Sequence, residues 1–373
     1  MSDIDSTSLP DHLLPSDGRF GSGPALIRGD AVARLADVAD HYLGTSHRRE
    51  GVKRVVRDIR MGVASLYGLP DGHEVALGVG GATMFWEVAA HSLIEHKSQH
   101  LSIGEFSAKF AAVVAGMSHL EKPTIITAPA GSAAAPMSDP EIDAFALIHN
   151  ETSTGVIAPL SRPQPGALVL VDGTSAAGAV PVEPAVFDVY YFSPQKAFGS
   201  EGGLWLALCS PDAASRAERL ATERTISPMS SLQVALENSR QDQTYNTPAL
   251  ATLFLLADQI SWIDANGGLA WAEARSRASA SIVYQWAESS PYATPFVTEP
   301  DLRSPTVVTV DLDEAVSAEA VAAVLRANGI VDVLGYRKIG HNQLRIATFP
   351  GIEPSDVERL VAAIEFVVAR ESS

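Results

Sequence analysis

The stretch "FDVYYFSPQKAFGSEGGLWLAL", residues 187–208, places a lysine within a segment whose composition is typical of buried β-sheet. Lysine is rarely buried unless it is paired, so Lys196 needs an explanation. One explanation is an exposed turn, or a side chain that reaches solvent along an apolar surface. The other is a desolvated amine, which has a lowered pKa and forms Schiff bases with carbonyl groups. The neighbouring motifs help to distinguish these interpretations.

A carboxylate follows an earlier apolar run of the same kind. In "ALVLVDGTSAAG", Asp172 comes directly after the apolar residues and 24 residues before Lys196. Such a carboxylate either caps a turn or lies against a cation. Pyridoxal phosphate (PLP) requires one, because an aspartate paired with its ring nitrogen keeps that nitrogen protonated. An aspartate and a lysine at the ends of neighbouring strands would fit one flat ring between them.

The stretch "GVGGATMFWEV" is the third motif. Gly80 and Gly81 allow a tight turn, and Ala82 and Thr83 then lie at a helix start, where free N–H groups and the helix dipole suit a phosphate. The spacing does not match the dinucleotide pattern G-x-G-x-x-G, so a phosphate monoester fits better than a pyrophosphate. An ordinary strand-to-helix turn remains the alternative.

The order of apolar runs predicts the fold class. Strand-like runs alternate with helical patterns through the middle of the chain, which is typical of an α/β domain with a large, mostly parallel sheet. From residue 306 a small α+β domain is predicted, with strands in "TVVTVDL", "IVDVLGYRK" and "QLRIATF". We expect a flexible tail over 1–16, a large domain with an N-terminal arm over 17–265, and a small C-terminal domain over 266–373.

The composition disfavours several classes of function. Of the 373 residues, 46% are hydrophobic and 19% are charged, which indicates a folded globular protein. A net charge of −17 disfavours binding to nucleic acid and anionic lipid. A single cysteine, Cys209, excludes an internal disulfide and a zinc site of several thiolates. With an acidic start and no apolar run of membrane-spanning length, we expect a cytoplasmic protein with no metal, nucleic-acid or membrane partner.

Taken together, the motifs resemble those of the phosphoserine aminotransferases, a family of fold-type I PLP enzymes. The resemblance rests on "DGRFGSGPALIR", "GTSHRRE", "HNETSTG", "VDGTSAAG", "YYFSPQKAFGSEGGLWLA", "YNTPAL" and "GYRKIGHNQLRIATFPG". It covers nearly the whole chain from about residue 17. It implies a homodimer whose active sites are shared between the two chains.

The resemblance also implies roles for residues around the cofactor. Lys196 would form the Schiff base and move the proton between substrate carbon and cofactor, while Asp172 would hold the ring nitrogen. Thr152 would bind the phenolic oxygen of the ring, and Gln195 would contact the phosphate. Phe106 falls where an aromatic residue stacks on the ring, a position at which many members have tryptophan.

Other residues are implied at the two ends of the site. Gly81, Ala82 and Thr83 would bind the cofactor phosphate. Asn246 and Thr247 would reach the phosphate of the other subunit's cofactor, although a helix N-cap also accounts for them.

For the substrates, the resemblance implies L-glutamate and the phosphorylated 2-oxo acid 3-phosphohydroxypyruvate, as in serine biosynthesis, with 4-phosphohydroxy-L-threonine of pyridoxine biosynthesis as a further substrate. Arg48 fits the glutamate carboxylate because a guanidinium binds it through two parallel hydrogen bonds. His47, Arg337 and Arg345 are the candidates for the phosphate end.

Two alternatives stay open from the sequence. One is another fold-type I enzyme, either an aminotransferase for a small 2-oxo acid or a desulfurase, which would need a reactive cysteine. The other is a nucleotide-binding reductase or a sugar-phosphate-binding protein, which would leave Asp172 and Lys196 unexplained.

Overall fold

The computed structural model describes residues 8–371. Its α-helices are α1 (Gly29–Tyr42), α2 (Glu50–Leu66), α3 (Gly81–Ser92), α4 (Glu105–Ala115), α5 (Pro211–Glu223), α6 (Leu232–Arg240), α7 (Leu250–Ala265), α8 (Gly268–Ser289), α9 (Ala318–Ala327) and α10 (Pro354–Glu371). Its strands are β1 (Glu74–Val79), β2 (Ser98–Ser102), β3 (Thr124–Thr127), β4 (Ala144–Ile148), β5 (Asn150–Glu151), β6 (Val156–Ile157), β7 (Leu168–Asp172), β8 (Val189–Phe192), β9 (Leu204–Cys209), β10 (Ala293–Pro295), β11 (Val307–Leu312) and β12 (Gln343–Ala347).

A seven-stranded sheet forms the centre of the large domain, in the order β1-β9-β8-β7-β4-β2-β3. Strand β9 pairs antiparallel with both of its neighbours, whereas β8, β7, β4, β2 and β3 pair in parallel. The carboxyl ends of β1, β4, β7 and β8 therefore meet at one edge of the sheet. This confirms the predicted large, mostly parallel α/β sheet.

Helices cover both faces of this sheet because its strands are apolar on both sides. Along β7, Val169 and Val171 pack into the same core as side chains of α2 and α7. Leu168 and Leu170 point the opposite way, into a second core with side chains of α3, α4, α5 and α6. The alternation follows from the two-residue period of a strand.

The small domain contains an antiparallel sheet of β10, β11 and β12, which shares a core with α8, α9 and α10. The strand predicted in "IVDVLGYRK" is wrong. That segment makes only the isolated bridges of Val331 with Arg19 and of Leu334 with Leu344. Asp332 has a φ of 64°, which interrupts an extended chain, and the third strand of this sheet comes instead from β10.

The segment before α1 packs on the small domain. Leu9 is buried, and its N–H donates to Asn328 Oδ1 at 2.9 Å. The Ser16 N–H and hydroxyl donate to the carboxylate of Asp356 at 2.7 to 2.8 Å. Residues 8–16 are therefore anchored, which differs from the flexible tail predicted over 1–16; residues 1–7 lie outside the described part of the chain.

The predicted boundary between 265 and 266 falls in the turn between α7 and α8. Helix α8 contributes to both domains, because Leu269 and Ala272 pack in the core of the large sheet while Val283 and Trp286 pack in that of the small domain. The exact limits therefore stay a prediction. Across residues 8–371, no helix combines the length and the apolar character needed to cross a bilayer.

Candidate active site

A cavity of about 290 Å³ lies at the edge where the carboxyl ends of β1, β4, β7 and β8 meet. It brings together most of the predicted cofactor-binding residues, including Asp172 and Lys196. Its lining consists of Gly80, Gly81, Ala82, Thr83, Trp86, Phe106, Ile148, Asn150, Thr152, Asp172, Thr174, Ser193, Gln195, Lys196 and Gly203.

One end of the cavity is the turn between β1 and α3. Gly80 and Gly81 have φ values of 107° and 70°, which favour glycine, and α3 begins directly at Gly81. A Cβ on Gly80 would lie 2.6 Å from the Cβ of Met84. Ala82 and Thr83 thus sit in the first turn of a helix that opens into the cavity, and such a turn offers unpaired N–H groups to an anion.

Lys196 is buried in this cavity, 8% exposed, and its Nζ donates to the carbonyl oxygen of Ser22 at 2.5 Å. Gly23 lies so close that a Cβ there would be 2.1 Å from Nζ. Burial, and next the charge of Arg345, lower the pKa of Lys196 to about 7. The amine is therefore neutral in a large fraction of molecules near neutral pH.

Asp172 ends β7 and is 7% exposed. Its Oδ1 accepts a hydrogen bond from the N–H of Thr174 at 2.9 Å. Burial raises the pKa of Asp172, whereas the contacts with Thr174 act in the opposite direction. A cationic partner in the cavity would favour the ionised carboxylate.

The cavity exposes polar atoms that lack partners within residues 8–371. These are the side-chain oxygens of Asn150, Thr174 and Gln195, each buried and without a hydrogen bond. An unsatisfied buried polar atom is costly, so these atoms indicate a polar ligand. A flat ring that carries a phosphate fits the groups that line the cavity: a helix start for the phosphate, a carboxylate for a ring nitrogen, and a lysine for an aldehyde.

Phe106 is held at the start of α4 by a carboxylate that is remote in sequence. Glu151 accepts hydrogen bonds from the N–H and the hydroxyl of Ser107 at 3.0 and 2.9 Å, and from the hydroxyl of Ser153 at 2.7 Å. The Phe106 ring centroid then lies 6.0 Å from Lys196 Nζ. Glu151 therefore fixes the helix start that carries the predicted stacking residue.

Arg345 is partly buried, and its charge acts on Lys196. Its Nη1 donates to the carbonyl oxygen of Thr152 at 3.3 Å, and its guanidinium lies 5.2 Å from the ring centroid of Tyr336. Burial lowers the pKa of Arg345. Arg337 is exposed and, together with Arg345, lines a neighbouring cleft of about 990 Å³.

The remaining predicted residues lie elsewhere in the chain. Thr247 Oγ1 is 3.3 Å from His47 Nδ1, so the "SHRRE" and "YNTP" motifs meet. Arg48 and Asn246 are exposed, and none of these four residues lines the cavity that contains Lys196. The structure therefore divides the predicted site into a buried cavity and an exposed group.

Sequence reasoning missed several residues of the cavity. Asn150 belongs to the same "NET" motif as Thr152, for which alone a role was predicted. Trp86 lies one helical turn beyond Ala82 and so faces the same side of α3. Ser22 and Gly23 belong to "FGSGPAL", whose two glycines around a serine were the signal that a chain segment passes close to another group.

The comparison with protein families gives a match to the aminotransferase class-V model over residues 20–337. A phosphoserine aminotransferase of Rhodococcus jostii is 51% identical over 97% of this chain and 98% of its own length. One of a Nocardioides species is 50% identical over 98% of this chain and 99% of its own.

Solved structures share the fold. A phosphoserine aminotransferase of Cytophaga hutchinsonii superposes with a TM-score of 0.87 at 24% identity, covering 94% of this chain and 99% of that one. A PLP-bound phosphoserine aminotransferase of Trichomonas vaginalis gives a TM-score of 0.76 at 18% identity, covering 94% and 99%.

The lowered pKa of Lys196 predicts how apoprotein takes up PLP. Only the neutral amine attacks an aldehyde, so the rate should rise with pH through a midpoint of about 7. The rate is measured from the absorbance of bound cofactor, with Nα-acetyl-lysine in the same buffers as the control for titration of PLP itself. A midpoint above about 10, the ordinary value for lysine, would contradict the desolvated amine.

Proposed function

The chain belongs to the aminotransferase class-V family, and from this premise we propose that it transfers the amino group of L-glutamate to 3-phosphohydroxypyruvate. The products are 2-oxoglutarate and O-phospho-L-serine, as in serine biosynthesis. The enzyme is a PLP-dependent transaminase. The observation that carries the proposal is the pairing of Asp172 and Lys196 in one buried cavity that opens onto a helix start.

The cavity residues suggest how PLP would be held. The start of α3 at Gly81, Ala82 and Thr83 would bind its phosphate, and Gln195, next to Lys196 in the cavity lining, would donate to it from its side-chain amide nitrogen. When bound, PLP supplies a ring that accepts the electrons of the substrate's α-carbon.

The other side chains would orient the ring. Asp172 would face the ring nitrogen, Thr152 would donate to the phenolic oxygen, and Phe106 would cover one face of the ring. These three come from the end of β7, from the segment after β4 and from the start of α4. Their burial excludes water from the ring and so strengthens the charge of Asp172 at its nitrogen.

Lys196 would move the proton. With a pKa of about 7, its Nζ can accept a proton from the substrate α-carbon and return it to another atom at the same pH. The Ser22 carbonyl, 2.5 Å from Nζ, limits where the free amine can lie.

Both substrates carry a carboxylate next to the reacting carbon, so one arginine beside Lys196 can serve both. We assign this role to Arg345, because its guanidinium lies at Thr152 and its charge is felt by Lys196. This changes the expectation from sequence, in which Arg345 was a candidate for the phosphate. His47 and Arg48 would then bind the far end of each substrate. This group is a carboxylate in glutamate and a phosphate in 3-phosphohydroxypyruvate.

His47 and Arg48 would act on the partner's cavity in a homodimer. Neither residue lines the cavity of its own chain. His47 instead contacts Thr247, whose hydroxyl is 3.3 Å from His47 Nδ1. The exposed Tyr245 and Met61, 48% and 65% accessible, provide apolar surface on the 244–247 loop and on α2. We further propose a cytoplasmic location and activity on 4-phosphohydroxy-L-threonine in pyridoxine biosynthesis.

A desulfurase is disfavoured. Cys209 lies within β9 with no exposed surface, and burial raises the pKa of its thiol well above the usual range. A buried thiol of this kind is a poor nucleophile.

An assay of the purified holoenzyme with glutamate and a panel of 2-oxo acids tests the proposed function. We expect the phosphorylated substrate to be preferred over pyruvate and glyoxylate by at least about 100-fold in kcat/KM, because an arginine that binds a phosphate is left unpaired by the smaller acids. Equal use of an unphosphorylated small acid would instead indicate the alternative aminotransferase.

Two matched variants test which arginine binds which end of the substrates. Arg345→Lys should weaken both half-reactions, whereas Arg48→Lys should raise KM for the phosphorylated acid and glutamate with a smaller effect on alanine, which has no distal charge. Each loss corresponds to about 1–3 kcal/mol for a charge-assisted pair. If Arg345→Lys affects only the phosphorylated substrate, its role is at the phosphate end, as the sequence predicted.

Mixed dimers test whether two chains share each site. A Lys196→Ala chain mixed with an Asn246→Ala, Thr247→Ala chain should regain activity over the double variant alone. Random pairing restores about one quarter of all sites from unmutated parts. If subunit exchange is verified, the double variant is impaired and no activity returns, then Asn246 and Thr247 serve only their own chain.

A further inference from the structure

Asp172 must be ionised to hold a protonated ring nitrogen, yet its burial favours the neutral acid. Burial raises its pKa, and the nearby carboxylate of Glu151 acts in the same direction. The N–H of Thr174 donates to Oδ1 at 2.9 Å, and the side chains of Thr174 and Tyr191 also act to lower the pKa of this carboxyl. A buried carboxylate generally needs two or three donors to remain ionised.

Tyr191 is placed to supply such a donor. It is the cross-strand partner of Asp172 in the β7–β8 register, so the two side chains leave the sheet on the same face. The Gly173 N–H donates to the Tyr191 carbonyl at 2.8 Å, which fixes the two strand ends together. The Tyr191 ring is fully buried and stacks on Phe85 with 4.4 Å between centroids.

The Tyr191 hydroxyl has no hydrogen-bond partner within the part of the chain that the structure describes, and neither has Trp86 Nε1. Trp86 is 3% exposed and lines the main cavity, two residues past Met84 on α3. Asp172 also lines the main cavity, and a second cavity of about 10 Å³ has Asp172, Tyr191 and Phe106 among its lining residues. Two buried donors therefore border one buried acceptor.

The protonation state of Tyr191 suits this arrangement. Burial, and next the charge of Asp172, raise its pKa well above the usual value, whereas an interaction with Trp86 acts in the opposite direction. The hydroxyl therefore keeps its proton and can donate it. Tyr190 does not compete, since it lies on the other face of the sheet, 3.1 Å from His149 Nδ1.

We propose that Tyr191 is a positioning residue for Asp172: its hydroxyl donates to the carboxylate, and Trp86 Nε1 donates to the same hydroxyl. This satisfies both unpartnered donors and keeps the negative charge on Asp172, so that the shared proton resides on the ring nitrogen. The inference rests on the proposed role of Asp172 toward the cofactor.

Tyr191→Phe removes the donor and leaves the ring in place. In holoenzyme reconstituted with PLP labelled with ¹⁵N in the ring, we expect the ¹⁵N resonance at fixed pH to move from the protonated toward the unprotonated position. The kcat of the glutamate half-reaction should fall by about tenfold or more, as expected for a lost hydrogen bond to a charge, with KM for glutamate within about twofold. Trp86→Phe should shift the resonance the same way by a smaller amount.

Tyr42→Phe is the matched control, because it also removes a buried, unpartnered tyrosine hydroxyl but lies in the core on the other face of the large sheet. It should leave the resonance unchanged. An unshifted resonance in Tyr191→Phe, with a clear shift in Asp172→Asn, would overturn the inference and leave the proposed function intact. If the ¹⁵N resonance is also unshifted in Asp172→Asn, then Asp172 does not hold the ring nitrogen, and the inference about Tyr191 is wrong as well.

Discussion

The burial of a carboxylate and an amine in a single cavity is the constraint on which the rest of this structure depends. Desolvation drives both groups toward their neutral forms, raising the pKa of Asp172 and lowering that of Lys196 to about 7. A neutral amine serves a reaction with a carbonyl group, whereas a neutral carboxyl would not hold a protonated ring nitrogen. In the role proposed for Asp172, its surroundings must restore its negative charge, whereas the role proposed for Lys196 uses the neutral amine.

The fold meets this constraint by bringing distant segments to one edge of the large sheet. Parallel strands end at the same edge, which places Asp172 and Lys196 on neighbouring strand ends and the start of α3 beside them. The N-terminal arm then passes over Lys196: Ser22 accepts from Nζ, and Ala25 N–H donates to the carbonyl of Gln195 at 2.8 Å. Because Phe20 of the same arm packs in the small-domain core, the position of that domain is coupled to the lysine.

Local patterns were sufficient to predict that Asp172, Lys196 and the turn at Gly81 lie in one cavity, because each motif depends on the residues directly before and after it. Long-range contacts were not predictable in the same way. The Ser22 carbonyl lies 174 residues from Lys196, and Glu151 caps a helix that begins 46 residues earlier, so neither follows from spacing. The strand predicted at 330–338 is wrong. The apolar pattern of this segment is typical of a strand, but the positive φ of Asp332 interrupts the extended backbone.

Borohydride reduction of the holoenzyme, followed by peptide mapping, tests the central claim most directly. The cavity that holds Lys196 against Ser22 predicts that the reduced cofactor is found on Lys196, with none on Lys109 or Lys338, which instead pair with Glu105 outside the cavity. The yellow absorbance should be lost on reduction, and the Lys196→Ala protein should carry no label. Label on Lys109 or Lys338 in the unmodified chain would contradict the assignment of the active site.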